Sequence, residues 1–146
     1  RLATVMHAPV RCVVVDDDPD FLAFALRVLE PLCRGAELIG FDSAIDALDF
    51  LRTNPVQLII TDFRMPFVNG IRLITAVRVV DRRVRIVMMS GEDLEFAAMS
   101  AGASAFILKP ALVRGLGQLL ERLELPCRAD PCESVTDLQA VSEPMR

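Results

Sequence analysis

The stretch CVVVDDDPD, Cys12 to Asp20, decides the fold. Its first half is a short, β-branched apolar run, which reads as a strand buried on both faces. Its second half starts a helix. Asp18 is a candidate N-cap, Pro19 suits the first helical position, and Asp20 places negative charge in the first turn, where the helix dipole favours it. A strand that gives way to a helix through a run of carboxylates is one βα unit with its charge at the strand's carboxyl end.

The same alternation continues outward from this stretch. With the first strand at 12–16, further strands read as ELIGF (37–41), VQLIIT (56–61), VRIVMMS (84–90) and SAFILK (104–109). The first helix carries Leu22, Ala25, Leu26 and Leu29 on its inner stripe and is ended or bent by Pro31. The second starts at Ser43, with Asp46 reaching back to the cap and Ile45, Leu48 and Leu51 inward. The third follows the turn signal Asn69-Gly70 and turns Ile71, Ile74 and Val77 to the core. The fourth covers Asp93 to Ala101 and stops at Gly102; the fifth runs from Ala111 to Leu123 with Leu112, Leu116, Leu119 and Leu123 inward. Five βα repeats with strands apolar on both faces imply an α/β fold, a flavodoxin-like (βα)5 doubly wound parallel five-stranded sheet of order 2-1-3-4-5. Residues 1–9 read as an N-terminal extension, 10–125 as the one domain, and 126–146 as a flexible C-terminal tail holding Cys127 and Cys132.

Composition narrows the function. A chain of 146 residues has room for one ordinary domain, and 53% hydrophobic against 25% charged residues excludes global disorder. A net charge of -4 gives no overall basic field to draw the domain onto nucleic acid or an anionic membrane, and the lack of Trp and Tyr weakens any base-stacking role. The four Cys, at 12, 33, 127 and 132, lack paired zinc-ligand spacing. No apolar run approaches the roughly 18 residues of a membrane helix, so a soluble cytoplasmic protein is expected.

In open parallel α/β sheets, ligands bind beyond the carboxyl ends of the strands, where the strand order reverses. The first strand ends at Asp16-Asp17, the third at Thr61-Asp62, the fourth at Ser90-Gly91 and the fifth at Lys109-Pro110. Order 2-1-3-4-5 places the first and third strands side by side, crowding Asp16, Asp17 and Asp62 into one pocket with Ser90 and Lys109 on its rim. Two carboxylates 4 Å apart repel by about 4 kcal/mol at an effective dielectric near 20, so the cluster needs a cation or shifted pKa values. Hard oxygen ligands point to Mg2+, which keeps positions open for phosphate oxygens, and Lys109 adds a point charge for the same phosphate. With no Cys or His beside the pocket, and Ser90 lacking an evident base, the best nucleophile is a carboxylate, which would form an acyl phosphate.

Residues 10–125 resemble a response-regulator receiver domain of two-component phosphorelay signalling, the CheY-like fold. The resemblance lies in VVVDDDP, IITDFRMPFVNG, IVMMSG and AGASAFILKP, in the family's order. The spacings also match: 45 residues from Asp17 to Asp62 (62 − 17), 28 to Ser90 (90 − 62) and 19 to Lys109 (109 − 90). It implies that Asp62 is the phosphoacceptor, that Asp17 ligates Mg2+ directly with Asp16 assisting through water, and that the backbone carbonyl of Arg64 is a further ligand. Ser90 and Lys109 would each bind a phosphoryl oxygen, Phe106 would be the switch aromatic, and Lys109-Pro110 is similar to the family's cis-proline step. Ala111 stands where the family usually has an aromatic, and Phe106 lacks the hydroxyl of the Tyr common at its position.

The implied partners are a histidine kinase or phosphotransfer protein, since the single His7 lies in the extension, and a downstream protein met through the fourth helix, fifth strand and fifth helix. The resemblance implies a monomer or weak dimer that assists its own phosphorylation and dephosphorylation without being a turnover enzyme. Arg64 and Glu92, each two residues past a pocket residue, are expected to pair across the mouth and modulate phosphoryl lifetime. The competing enzyme reading is a small haloacid-dehalogenase-type phosphatase, with Asp16 as nucleophile and Asp18 as general acid. Pro19 and the short chain argue against it. Arg78, Arg82, Arg83 and Arg85 read as a solvated basic cluster at the opposite end of the sheet.

Overall fold

The computed structural model describes residues 9–125. The expectations for the N-terminal extension, with His7, and for the tail, with Cys127 and Cys132, lie outside the described residues.

Among the described residues, five strands and five main helices alternate: β1 Arg11–Val15, α1 Pro19–Leu29, β2 Glu37–Phe41, α2 Ala44–Leu51, β3 Leu58–Asp62, α3 Gly70–Val80, β4 Arg85–Ser90, α4 Glu95–Ala101, β5 Ala105–Leu108 and α5 Leu112–Leu123. Short 3-10 turns, Glu30–Leu32 and Lys109–Ala111, follow α1 and β5. All strand pairs are parallel, and the sheet order is β2-β1-β3-β4-β5, as expected.

The pleat divides the apolar residues of each strand between two cores. Cys12 and Val14 of β1, Leu58 and Ile60 of β3, and Val87 and Met89 of β4 face the side covered by α1 and α5, where Leu29, Leu112, Leu116 and Leu120 are buried. Val13 and Val15, Ile59, Ile86 and Met88 face the side covered by α2, α3 and α4, against Ala47, Leu73, Ile74 and Ala98. Each fully buried Leu or Ile contributes about 1.5–3 kcal/mol of transfer free energy, and both sheet faces are lined this way.

Helix starts follow local chemistry. The Asp18 carboxylate accepts the backbone N–H groups of Asp20 at 3.0 Å and Phe21 at 3.4 Å, with Pro19 opening the helix. Ser43 Oγ accepts from Asp46 N at 3.2 Å, and Asn69 Oδ1 from Arg72 N at 2.9 Å. Pro31, lacking an N–H, ends α1 at Leu29 and the chain tightens into the 3-10 turn, with Cys33 N bonded to the Leu29 carbonyl at 3.1 Å.

Several expectations are corrected. Ile45 is 51% exposed; the inner face of α2 is instead Ala44 and Ala47, small enough to bring the helix close to the sheet, with Leu48 and Leu51 half-buried. The fourth helix begins at Glu95, because Asp93 Oδ1 takes Glu95 N at 3.1 Å and holds residues 93–94 in a turn before the helix. The described residues contain no cis peptide bond, so Lys109-Pro110 is trans; Pro110 sits in the 3-10 turn, where its fixed φ and missing N–H are tolerated. The basic cluster is not uniformly solvated. The Arg78 guanidinium, half-buried, donates to the carbonyls of Gly102 at 2.8 Å, Val84 at 2.7 Å and Asp81 at 3.2 Å and to Ser104 Oγ at 3.3 Å. Arg85 Nε donates to the Leu123 carbonyl at 3.0 Å, tying the end of α5 to the start of β4. Among these four arginines, Arg82 and Arg83 are the exposed ones.

Candidate functional site

The register of the two central strands builds the site. Val15 lies opposite Thr61 in the parallel ladder, so the next residues, Asp16 and Asp62, leave the sheet side by side and on the same face. Asp16 is fully buried and extends the ladder, its N–H donating to the Phe41 carbonyl at 3.0 Å. Asp62 is 6% exposed. Lys109, one residue past β5, returns over them: its Nζ donates to Asp16 Oδ2 at 3.0 Å and pairs with Asp62 Oδ1 at 3.2 Å. Asp16 Oδ1 accepts the Asp18 N–H at 2.9 Å, so both oxygens of the most buried acid are occupied.

Burial and the neighbouring Asp16 carboxylate push the Asp62 carboxyl above its ordinary range, against the pull of Lys109. For the Lys109 ammonium, burial works downward, but the hydrogen bond and charge of Asp16, followed by those of Asp62, outweigh it and raise the pKa. The ammonium therefore stays charged, and it partly neutralises two buried acids.

Asp17 is exposed and borders a shallow cleft with Phe63, Arg64, Met65, Pro66 and Asn69. One oxygen each from Asp16, Asp17 and Asp62 lie within 4.8 Å of one another. A donor set made only of carboxylate oxygens, one of them open to solvent, fits a hard divalent cation that retains water, such as Mg2+.

Of the remaining expected residues, Ser90 and Phe106 belong to the opposite face of the sheet from Asp16 and Asp62. Ser90 is 3% exposed, and its Oγ accepts the Glu92 N–H at 3.2 Å. Phe106, opposite Met88 in the ladder, is half-buried against the core on the α3 and α4 side, where the pleat also directs Thr61 and Ser90. Arg64 and Glu92 form the expected ion pair, which joins the loop after β3 to the loop after β4. Asp18 is engaged as the α1 cap rather than held ready as an acid.

Three contributors had no role in the sequence reading. Thr61 Oγ1 donates to the Asp62 carbonyl at 2.9 Å. Gly70, read only as part of a turn, packs against the same peptide: a Cβ there would stand 2.3 Å from the Asp62 carbonyl oxygen, so only glycine fits. The backbone of Asp62 is thus held by a hydroxyl on one side and a close helix start on the other. Phe21, on the first turn of α1, lies with its ring centroid 4.3 Å from Lys109 Nζ. The loop between β3 and α3 also turns sharply at Phe67, which has φ 70° and is 87% exposed.

A family model described as the response regulator receiver domain matches residues 12–124. The chain belongs to this family. Its relatives include the transcriptional regulatory protein PrrA of Mycobacterium tuberculosis, 34% identical over 122 residues covering 78% of this chain and 48% of that protein. Another is a protein-glutamate methylesterase/protein-glutamine glutaminase of Azospirillum brasilense, 31% identical over 114 residues covering 75% of this chain and 29% of that protein. A response regulator receiver protein from Pseudomonas putida matches with TM-score 0.65 and 32% identity over 80% of this chain and 96% of that one. The chemotaxis regulator CheY4 of Vibrio cholerae shares the fold at TM-score 0.70 and 22% identity, over 80% of this chain and 99% of that one. The chain spans about half the length of the PrrA relatives it matches.

The receiver domain is that of two-component response regulators, a family that is generally not enzymatic although some members, as the methylesterase name records, are. A dehalogenase-type phosphatase is not supported. Among the described residues, no helix is long and apolar enough to cross a membrane.

Proposed function

We propose that this receiver domain accepts a phosphoryl group on Asp62 from a phosphohistidine of a partner histidine kinase or phosphotransfer protein. The observation that carries the reading is Lys109 Nζ bound between Asp16 and Asp62, a buried acid pair at the ends of adjacent strands. One Asp62 oxygen attacks phosphorus, the P–N bond to the donor imidazole breaks, its electron pair returns to the ring nitrogen, and an acyl phosphate remains. Asp16, Asp17 and Asp62, with the main-chain carbonyl of Arg64, are the groups that would hold Mg2+. A bound Mg2+ supplies the positive charge that the phosphoryl oxygens require in the transition state. Lys109 stabilises one phosphoryl oxygen by exchanging its Asp62 partner for it, while Asp16 keeps hold of the ammonium. Ser90, whose Oγ accepts the Glu92 N–H, turns its own O–H to another and donates to it.

The move of Ser90 leaves space on the α3 and α4 side, and Phe106 turns inward to fill it, biasing a surface formed by α4, β5 and α5 toward its protein-binding form. This output is a contact between proteins, made by a monomer or weak dimer; DNA binding or catalysis by the full-length protein would belong to segments beyond residues 10–125. Phosphotransfer profiling against candidate histidine kinases, with Asp62→Asn as control, tests the reading. Rapid transfer from one kinase, lost in Asp62→Asn, is expected; equal transfer to both proteins refutes it. Amide shift mapping with beryllofluoride should reach Phe106, α4 and α5, and shifts confined to the pocket would refute the switch.

A further inference from the structure

The Lys109 ammonium has three neighbours, and only two are carboxylates. The third is the face of Phe21, with the centroid 4.3 Å from Nζ, inside the range of a cation–π contact. The start of the helix that carries this ring is tied to the site. Asp16 Oδ1 accepts the Asp18 N–H at 2.9 Å, the Asp18 carboxylate accepts the Phe21 N–H at 3.4 Å, the Phe21 ring meets Lys109, and Lys109 returns to Asp16 Oδ2 at 3.0 Å. The four residues close a loop of contacts around the buried acid. Phe24 contacts the same ring in a tilted arrangement, centroid to centroid 5.5 Å.

We propose that Phe21 is a positioning residue for Lys109, its ring and Asp16 together forming the pivot about which the ammonium exchanges Asp62 for a phosphoryl oxygen. The proposal rests on Asp62 being the phosphoacceptor. A lysine is a point charge on a flexible stem with strong hydration, and Lys109 is 22% exposed, so it has an escape route to water. The ring blocks that route without competing for a hydrogen bond. When the phosphoryl group arrives, Asp16 and Phe21 keep their places and only the Asp62 contact is exchanged, so the cation is already aimed at the new charge.

The test separates the ring's electrons from its bulk. Phenylalanine, 4-fluoro-, 3,5-difluoro- and pentafluorophenylalanine are introduced at position 21 by site-specific incorporation, alongside Phe21→Tyr and Phe21→Leu. Saturation by beryllofluoride in Mg2+ and the initial rate of labelling by acetyl phosphate are measured for each. The proposal expects a stepwise decline with fluorination and about fivefold weaker beryllofluoride binding in Phe21→Leu, equivalent to about 1 kcal/mol at 1.4 kcal/mol per tenfold. Phe21→Tyr should match the parent. A readout independent of phosphorylation is the upfield ring-current shift of the Lys109 Cε protons, present in the parent without donor or metal and lost in Phe21→Leu. Equal behaviour of the whole fluorinated series overturns the proposal, whether or not Phe21→Leu is impaired, because a loss confined to leucine reports packing alone. A parent that fails to label at Asp62 while retaining the ring-current shift overturns the phosphoacceptor reading and leaves the contact in place.

Discussion

Asp62→Asn should make this protein more stable at neutral pH in the absence of divalent cations, although it removes an ion pair. One oxygen of Asp16 and one of Asp62 lie within 4.8 Å of each other, which at an effective dielectric near 20 is a repulsion of at least about 3.5 kcal/mol. Exposed Asp17 adds a smaller, screened contribution, and the burial of the Asp62 carboxylate adds a desolvation cost of several kcal/mol. Against these stands the attraction to Lys109 at 3.2 Å, about 5 kcal/mol on the same scale. The raised pKa of Asp62 gives the sign of the balance, since burial and Asp16 outweigh Lys109. Asparagine keeps the shape, and Lys109 keeps Asp16, so a net gain of about 1–2 kcal/mol is expected, or roughly 3–8 °C in Tm for a domain of this size. The pH dependence follows from the same sign. With the folded pKa above the ordinary 3.8, the parent bears the penalty once the pH exceeds the raised folded value and is free of it when Asp62 is protonated in both states. Urea midpoints with EDTA, taken from about pH 8 downward, should show the variant's advantage largest at the top and shrinking as the pH falls through that raised pKa. An Asp62→Asn protein equal to or weaker than the parent at pH 7.5 would refute this account of the pocket.

Three further outcomes are expected. Millimolar Mg2+ should raise the parent's Tm, and Asp17→Asn should lose most of that shift; an unchanged parent midpoint argues against the acidic cluster as a cation site. Arg64→Asn breaks an exposed ion pair with Glu92, so its Tm should stay within about 2 °C of the parent. Decay of its phosphorylated form should nevertheless accelerate several-fold as water gains an in-line approach, and equal or slower decay rules out the gate. Arg78→Ala removes one guanidinium from three carbonyls and a hydroxyl joining α3, β4 and the loop before β5, and should cost about 2–4 kcal/mol by denaturant titration. A loss below about 1 kcal/mol would show that water replaces it freely.

The fold and the acidic pocket were legible because both depend on local signals with fixed periods. Strand runs and capping residues mark each βα unit, and Asp16, Asp62 and Lys109 stand at strand ends, where parallel topology must bring side chains together. Less legible were features set by distance across the fold. Phe21 reads as one more apolar residue on an amphipathic helix; its contact with Lys109, 88 residues later (109 − 21), exists only once α1 has packed beside β5's exit. Arg78 reads as a surface charge until Gly102 and Ser104 come within reach of its fork. Ile45 with Leu48, and Ala44 with Ala47, are both apolar pairs at i,i+3, and hydrophobicity alone favours the larger pair for the core, whereas the close approach of α2 selects the smaller. The proline geometry after Lys109 followed the family resemblance rather than any local signal, and there the structure departs from it.

The central claim is that Asp62 receives the phosphoryl group, and locating the modified residue tests it most directly. The protein is treated with acetyl phosphate and Mg2+, the acyl phosphate is reduced with borohydride to convert the modified aspartate to homoserine, and the peptides are sequenced by mass spectrometry. The account predicts homoserine at position 62 alone, absent when Asp62→Asn is treated in parallel. Homoserine at position 16, or an unmodified pocket under conditions that label other receiver domains, would contradict it.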